Sequence, residues 1–272
     1  MFFADYHVHT HFSNDAKHSM TDMAVAAAKC GIKELCFTDH VEDCCENDPI
    51  GFDIGNYFEI QDECAREFYE TREKLRGHID IKLGAEVSAI NHEPELAKEI
   101  SQFKDLDFII GSVHNLKNMN DFYFLEYESK QQCDQLIEKY LEENIEVAKL
   151  GCCDIIGHIG YAGKYMREKG FTTDVMDFPD HLRFLFKTIA ENGLGIEINT
   201  SGLRKQMNLT IPHFEVLKLY RECGGEVITA GSDAHLVKDA GANISDAYDL
   251  LRKAGFKYVT VFEKRKPDFI KL

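Results

Sequence analysis

The sequence has no apolar run approaching the roughly 18 residues that a membrane-spanning helix needs. Its start, MFFADYHVH, has no basic stretch leading into an apolar segment, because Asp5 breaks the short apolar patch. A secreted or membrane-bound protein is not expected, and the cytoplasm is the expected location. Repeated CxxC spacing is also missing. The nine cysteines are an odd number and include the adjacent pairs Cys44-Cys45 and Cys152-Cys153. This disfavours a zinc ribbon or a disulfide framework and favours reduced thiols packed as small hydrophobes. Positive charge is scarce: 31 Lys and Arg stand against 47 Asp and Glu, for a net charge of -16. Such a surface argues against long nucleic acids and anionic membranes as partners. An anionic substrate would need a concentrated local source of positive charge. Low-complexity segments and Pro/Ser-rich linkers are absent too, so residues 1–272 are expected to form one domain.

What the sequence does have is an alternation of short apolar runs with longer amphipathic stretches, the pattern of βα units. The apolar runs predict strands at 2–8, 33–38, 80–87, 108–113, 154–158, 195–199, 226–231 and 258–262. Between them, Ser19-x-x-Asp22 ahead of MAVAAAKC and Gly31 predicts a capped helix with a glycine stop. Further helices are predicted over 56–76, 93–103, 129–150, 175–192, 213–223 and 245–254. Seven or eight such units in one domain point to a closed parallel barrel of the α/β class, whose active site gathers at the C-terminal strand ends.

Almost every predicted strand ends in a residue able to bind metal: His7 and His9, Asp39-His40, Glu86, His114, His158, and Asp233 with His235. His7 and His9 are two apart on a strand, so both imidazoles point to one side and can reach one ion. Asp233 and His235 repeat that spacing behind a Gly231-Ser232 turn that lets the backbone come close. Glu86 ends an apolar run, where an unpartnered buried carboxylate would cost several kcal/mol. A salt bridge would satisfy it, but among six histidines a position bridging two metals fits better. His114 and His158 alone would be read as core histidines bonded to backbone; in this company they join the ring. His78, His92, His181 and His213 lie away from strand ends and read as surface or structural, His18 as loop, and His11 as a possible pocket residue.

DYHVHTHFS (5–13), CFTDH (36–40), GAEV (84–87), GSVH (111–114), GH (157–158), EINTSGLRK (197–205) and GSDAH (231–235) together resemble the polymerase-and-histidinol-phosphatase (PHP) superfamily, and within it the histidinol phosphate phosphatases. The resemblance runs end to end. It implies a distorted (β/α)7, TIM-like barrel with a trinuclear metal site at the C-terminal strand ends. Carried over by position, one ion takes His7, His9, Glu86 and Asp233, and a second shares Glu86 and adds His114 and His158. A third takes Asp15, His40 and His235; Asp15 by its local context is an ordinary loop acid and enters only through the resemblance. The family is described with zinc, manganese or iron, and mixed N/O ligation fits each.

Three divalent ions against three carboxylates would leave a charge of about +3 with neutral histidines. That would let an acidic protein hold a phosphate dianion. The implied reaction is direct hydrolysis of a phosphomonoester, L-histidinol phosphate, by water that the metals acidify, with Glu86, Asp233 and His235 as catalytic residues and Asp233 or His235 relaying the leaving-group proton. Arg204 has the planar fork that suits phosphate, and Asn199 and Ser201 offer neutral hydrogen bonds. One departure concerns the stretch after the GH motif, where the family often continues HxDLxxRY and this chain reads HIGYAGKY (158–165). The acid is replaced by Gly160, and Lys164 stands where arginine would contact phosphate.

Another small phosphate ester or a nucleotide is the alternative substrate within the superfamily. A nuclease of long chains lacks the basic, aromatic-lined groove it would need. A metal-binding module without catalysis would not require all nine ligand positions. An amidohydrolase also opens with HxH on a barrel strand, but needs a central lysine and lacks the Glu86 and Asp233-x-His235 arrangement.

Overall fold

The computed structural model describes residues 1–42, 56–88, 90–205 and 207–272; Cys44 and Cys45 lie outside them. Seven strands, β1 (Ala4–Val8), β2 (Glu34–Val41), β3 (Asp80–Ser88), β4 (Phe108–Ser112), β5 (Ile155–Ile156), β6 (Gly195–Asn199) and β7 (Ile228–Gly231), form one sheet in sequence order. Every neighbouring pair is parallel. The sheet curls until β1 meets the segment just past β7. The Asp233 amide donates to the His7 carbonyl at 2.7 Å and the His9 amide to the Ala234 carbonyl at 3.0 Å. The result is a distorted seven-stranded barrel, drawn shut at its C-terminal end.

Strand alternation sorts the side chains. On β3, Ile81, Leu83, Ala85 and Val87 join the outer core beneath the helices, so Lys82, Gly84, Glu86 and Ser88 occupy the inner face. On β4, Phe108 and Ile110 belong to a separate inner cluster with Ala4, Tyr6, Cys36 and Ile155. That apolar layer is the floor of the barrel, and polar residues occupy the strand positions above it. Strand β1 departs from strict alternation through a bulge between Asp5 and Val8. A bulge re-aims side chains: Tyr6 packs in the inner floor while its neighbour His7 turns into the mouth.

The connecting helices are α1 (Met20–Lys29), α2 (Asn56–Lys74), α3 (Pro94–Ile100), α4 (Lys130–Leu150), α5 (Tyr161–Glu168), α6 (Pro179–Glu191), α7 (Phe214–Glu222) and α8 (Ile244–Lys253). The Ser19 side chain caps α1 by accepting from the Asp22 amide, and α4 stops at Gly151 in a left-handed conformation. The helix expected over 175–192 is divided: a 3-10 turn covers Val175–Asp177, and α6 begins at Pro179. Proline disfavours helical backbone in the residue before it, and Phe178 sits at φ -121°, ψ 58°. Helix α5 carries no capping side chain at Gly160, and the sequence pattern gave no sign of it.

The strand expected at 258–262 is not an eighth barrel strand. It is β8 (Tyr258–Glu263), which pairs antiparallel with β9 (Lys266–Lys271) in a separate hairpin. Val261 and Phe262 pack into the inner cluster, so the hairpin plugs the barrel at the end away from the histidines. No helix among the described residues is long and apolar enough to cross a membrane. The seven described cysteines are all free.

Candidate metal centre

At the C-terminal mouth of the barrel the structure brings together His7, His9, Asp15, His40, Glu86, His114, His158, Asp233 and His235, in three groups. In the first, His7 and His9 approach Nε2 to Nε2 at 3.1 Å, with Asp233 Oδ1 at 3.8 and 3.5 Å from them. In the second, His114 and His158 also meet Nε2 to Nε2 at 3.1 Å. In the third, His40 and His235 stand 3.4 Å apart, with Asp15 oxygens 3.7 and 3.0 Å away. Glu86 lies between the first two groups. Its Oε2 is 3.2 Å from His7, and its Oε1 is 2.8 Å from His158 and 3.2 Å from His114.

The outer nitrogens of these rings explain the arrangement. His7 Nδ1 donates to Glu197 at 3.0 Å, and His9 Nδ1 donates to Ser13 Oγ at 3.1 Å. Ser13 in turn donates to Asp39. Those acceptors fix a hydrogen on each Nδ1, so Nε2 is the nitrogen that His7 and His9 turn towards the ring centre and can offer to a cation. Two imidazoles bound to one tetrahedral ion at about 2.0–2.1 Å have their nitrogens about 3.3 Å apart. The donor set therefore fits a cation with no rearrangement of the chain. Imidazoles held from behind by carboxylates are also the arrangement that orients and strengthens metal ligands.

Electrostatics point the same way. Burial opposes charge on Glu86 and Asp233, yet the surrounding imidazoles hold both carboxyls well below their ordinary values. Burial also opposes charge on Asp15, and His235 and His40 hold it low. Burial disfavours a proton on His7, but Glu86, Glu197 and Asp233 outweigh it and raise the ring well above its ordinary value. His9 goes the other way, to about 3, through burial and the neighbouring His235 and His40. A divalent cation meets the demand of several rings and carboxylates at once.

The sequence profile of the PHP domain matches residues 5–201. The chain belongs to the PHP family. A histidinol-phosphatase of Lactococcus lactis is 26% identical to it, with 97% of this chain and 96% of that protein aligned. A Thermotoga maritima protein named "Probable histidinol-phosphatase" is 27% identical, with 96% of each chain aligned. The crystal structure of histidinol phosphate phosphatase from L. lactis, complexed with zinc, L-histidinol and phosphate, superposes with a TM-score of 0.79 at 23% identity over 98% of both chains. It shares the fold of this PHP protein.

Two carboxylates central to this PHP centre escape a search for strand-end ligands. Glu42 lies two residues past His40, just beyond the end of β2, and is buried. Its Oε1 accepts from His114 Nδ1 at 2.5 Å and lies 2.7 Å from His40 Nδ1. Glu197, also buried, accepts from His7 and from the His158 amide at 2.7 Å. The i, i+2 spacings His40-x-Glu42 and Glu197-x-Asn199 were the available signals. Asp39, by contrast, turns away from the ring and fixes the loop after β1, accepting from the Thr10 amide and hydroxyl at 2.6 and 2.7 Å.

Over the ring opens a cavity of about 560 Å³ whose walls include Lys164, Ser201, Arg204, Lys205 and Lys238. Lys164 is buried among aromatic rings, its Nζ 4.9 Å from the centre of Tyr165, and burial pushes its pKa down. Arg204 donates to the Ser232 carbonyl at 2.6 Å, so its guanidinium is held at the cavity wall. Asn199, expected to contact substrate, lies behind the ring. It is fully buried, donates to Asp233 Oδ2 at 3.2 Å and accepts from the Ser201 hydroxyl at 2.7 Å. His11 pairs with Glu67 at 2.7 Å, away from the cavity lining, and His92 is buried against Glu143. A larger hollow of about 660 Å³ lies at the opposite ends of β2 and β3, lined by Lys33, Arg72, Arg76 and His78. It contains none of the ligating clusters found among the described residues.

Proposed function

We propose that this chain is a metal-dependent phosphomonoesterase, one phosphoesterase domain over residues 1–272, that hydrolyses L-histidinol phosphate to L-histidinol and inorganic phosphate. The observation that carries the reading is Glu86, buried at the base of the cavity with one carboxylate oxygen turned to each of two imidazole pairs. The naming of full-length relatives as histidinol-phosphatases, and the zinc, L-histidinol and phosphate in the L. lactis structure, support the substrate and the setting in histidine biosynthesis. From that setting we infer a cytoplasmic location.

We assign three divalent ions to these donors, as the resemblance to the family implies. His7, His9, Glu86 and Asp233 would hold one; Glu86, His114 and His158 a second; Asp15, His40 and His235 a third. Zinc, manganese and iron each accept these nitrogen and oxygen donors. When bound, such ions supply Lewis-acid stabilisation of the phosphoryl group and lower the pKa of water.

The chain's own side chains position the ester and move the proton. Arg204, Lys164 and the Ser201 hydroxyl line the approach of the phosphate dianion, Arg204 with a fork that matches phosphate oxygens and Lys164 as a point charge. Water attacks phosphorus, the bond from phosphorus to the alcohol oxygen breaks, and the departing alkoxide takes a proton. Asp233 and His235 both line the cavity, 3.6 Å apart, and His235 is the more exposed, which suits this pair to deliver that proton.

Steady-state kinetics of metal-reconstituted protein on L-histidinol phosphate, nucleoside monophosphates and an aryl phosphodiester test the reading. The expected kcat/KM for histidinol phosphate exceeds the others by at least about a hundredfold. Equal values for the monoesters would remove the substrate assignment, and a preference for the diester would remove the phosphomonoesterase.

A further inference from the structure

The phosphate half of a substrate is provided for, and the organic half must lie against the rest of the cavity. That wall is aromatic and continuous with the ring. The Tyr161 ring lies 4.7 Å from His114 and 4.9 Å from His158, Tyr165 lies 5.0 Å from Tyr161, and Tyr123 lies 5.4 Å from Tyr165. Phe124 completes the wall. Set into it is the carboxylate of Asp121. The Tyr161 hydroxyl donates to its two oxygens at 3.2 and 3.1 Å, and the Tyr123 amide donates to Oδ1 at 2.6 Å.

Six carboxylates line this cavity among the described residues. Asp15, Glu86 and Asp233 face the ring centre, Glu42 backs His40 and His114, and Asp239 faces Arg204 at 3.5 Å. Asp121 alone sits on the aromatic wall, linked to α5 across 40 residues of sequence. Burial raises its pKa to about 6, against the opposing influence of His114, so the carboxylate is anionic at neutral pH. A carboxylate that accepts from a tyrosine hydroxyl and a backbone amide beside these aromatic rings is complementary to an alkylammonium group, through a charge-assisted hydrogen bond. It is the wrong surface for a second phosphate or a neutral alkyl chain.

We propose that Asp121, held by the Tyr161 hydroxyl on the aromatic wall of the cavity, is the specificity-determining residue that receives a protonated amine in the organic half of the substrate. The site thereby selects amino-alcohol phosphates over neutral alkyl phosphates. This rests on the phosphomonoesterase reading and adds to it the class of alcohol and the residue that recognises it.

The probes are phosphoethanolamine and propyl phosphate, which have the same chain length and differ in carrying an ammonium or a methyl group. Calorimetric Kd values on the zinc-loaded protein read the selectivity, and turnover of the same esters reads the hydrolase assignment, so the two ideas can fail separately. The wild-type protein is expected to bind phosphoethanolamine about ten- to a hundredfold more tightly. Asp121→Asn should erase most of that ratio while zinc content stays at the wild-type level. Tyr161→Phe, which removes only the hydroxyl, should reduce the ratio by a smaller factor and carries the test if Asp121→Asn loses metal. Absence of selectivity in the wild type, or an unchanged ratio in the folded variants, overturns the proposal.

Discussion

An imidazole has two nitrogens, and a metal centre built from imidazoles depends on what holds the second one. In this chain Glu42 serves two rings, His40 and His114, and Glu197 serves His7 and the His158 amide. Glu42→Gln keeps the shape but replaces an acceptor-only carboxylate with a group that can also donate, so neither tautomer is enforced. Metal affinity is expected to fall about ten- to a hundredfold, read by competition with a chromogenic chelator. The metal-free protein has a matching pH dependence. Burial opposes charge on Glu42, but His40 and His114 hold its carboxyl at about 2, below its ordinary 4.5. As pH falls the unfolded chain takes up that proton first, so the stability Glu42 contributes is present above pH 4.5 and lost as pH drops towards 2. The amount is on the order of 3 kcal/mol. Urea unfolding of chelator-treated protein between pH 6 and 3 should show the loss, and Glu42→Gln should flatten it.

Among the elements, β1 and the β8–β9 hairpin work at opposite ends of the barrel. The bulge in β1 puts His7 into the mouth, and Gly231 makes room for it, since a Cβ there would lie 2.4 Å from His7 Cβ. The hairpin closes the other end through the floor cluster and through Arg265, whose Nε donates to buried Asp154 at 2.5 Å and whose amide donates to the Asp107 carbonyl at 2.9 Å. Burial raises the Asp154 carboxyl despite Arg265, so removing the guanidinium leaves a carboxylate poorly tolerated where it stands. Arg265→Ala is expected to cost about 1–3 kcal/mol by denaturant unfolding, the lower part of the range for broken buried pairs because Arg265 is partly exposed. The kcat of the metal-loaded variant should stay near the wild-type value, because the ring lies at the far end of the strands.

The whole molecule carries a net charge of -16, yet the proposed activity requires it to admit a dianion. Divalent ions held at the mouth would invert the charge locally, and they would also neutralise Glu86 and Asp233. Binding to the folded state alone contributes stability that grows with the logarithm of free metal. Stripping the protein with a chelator should therefore lower its unfolding free energy by roughly 4 kcal/mol relative to zinc present at about a thousandfold over Kd. Differential scanning calorimetry, with and without added zinc, checks this. An unchanged melting temperature would mean that the ring is stable on protons alone.

Much of this centre was legible in the chain because its ligands sit where strands end, and strand ends are marked locally by apolar runs. The i, i+2 spacings in His7-Val8-His9 and Asp233-Ala234-His235 express strand geometry directly. Other features needed closure of the fold. The run Tyr258–Phe262 has the β-branched and aromatic content of a barrel strand, and only its partner shows otherwise. The hairpin turns on Lys264 and Arg265, both at positive φ, without the Asn-Gly or Asp-Gly that would announce such a turn. Asn199 shares the strand-end position of the ligands, but it is bonded to Asp233, just past β7, and lies behind the ring. Asp121 reaches the cavity only because the loop after β4 folds against α5, a contact across 40 residues. The sequence by itself determined the parallel alternating architecture and the strand-end histidines and acids, since local periodicity and residue type encode them, while its motifs carried the family resemblance through which Asp15 joins the ring. Tertiary structure decided which carboxylates back the histidines, which strand stays out of the barrel and which acid reaches the aromatic wall of the cavity, because each depends on contacts between segments that carry no record of one another.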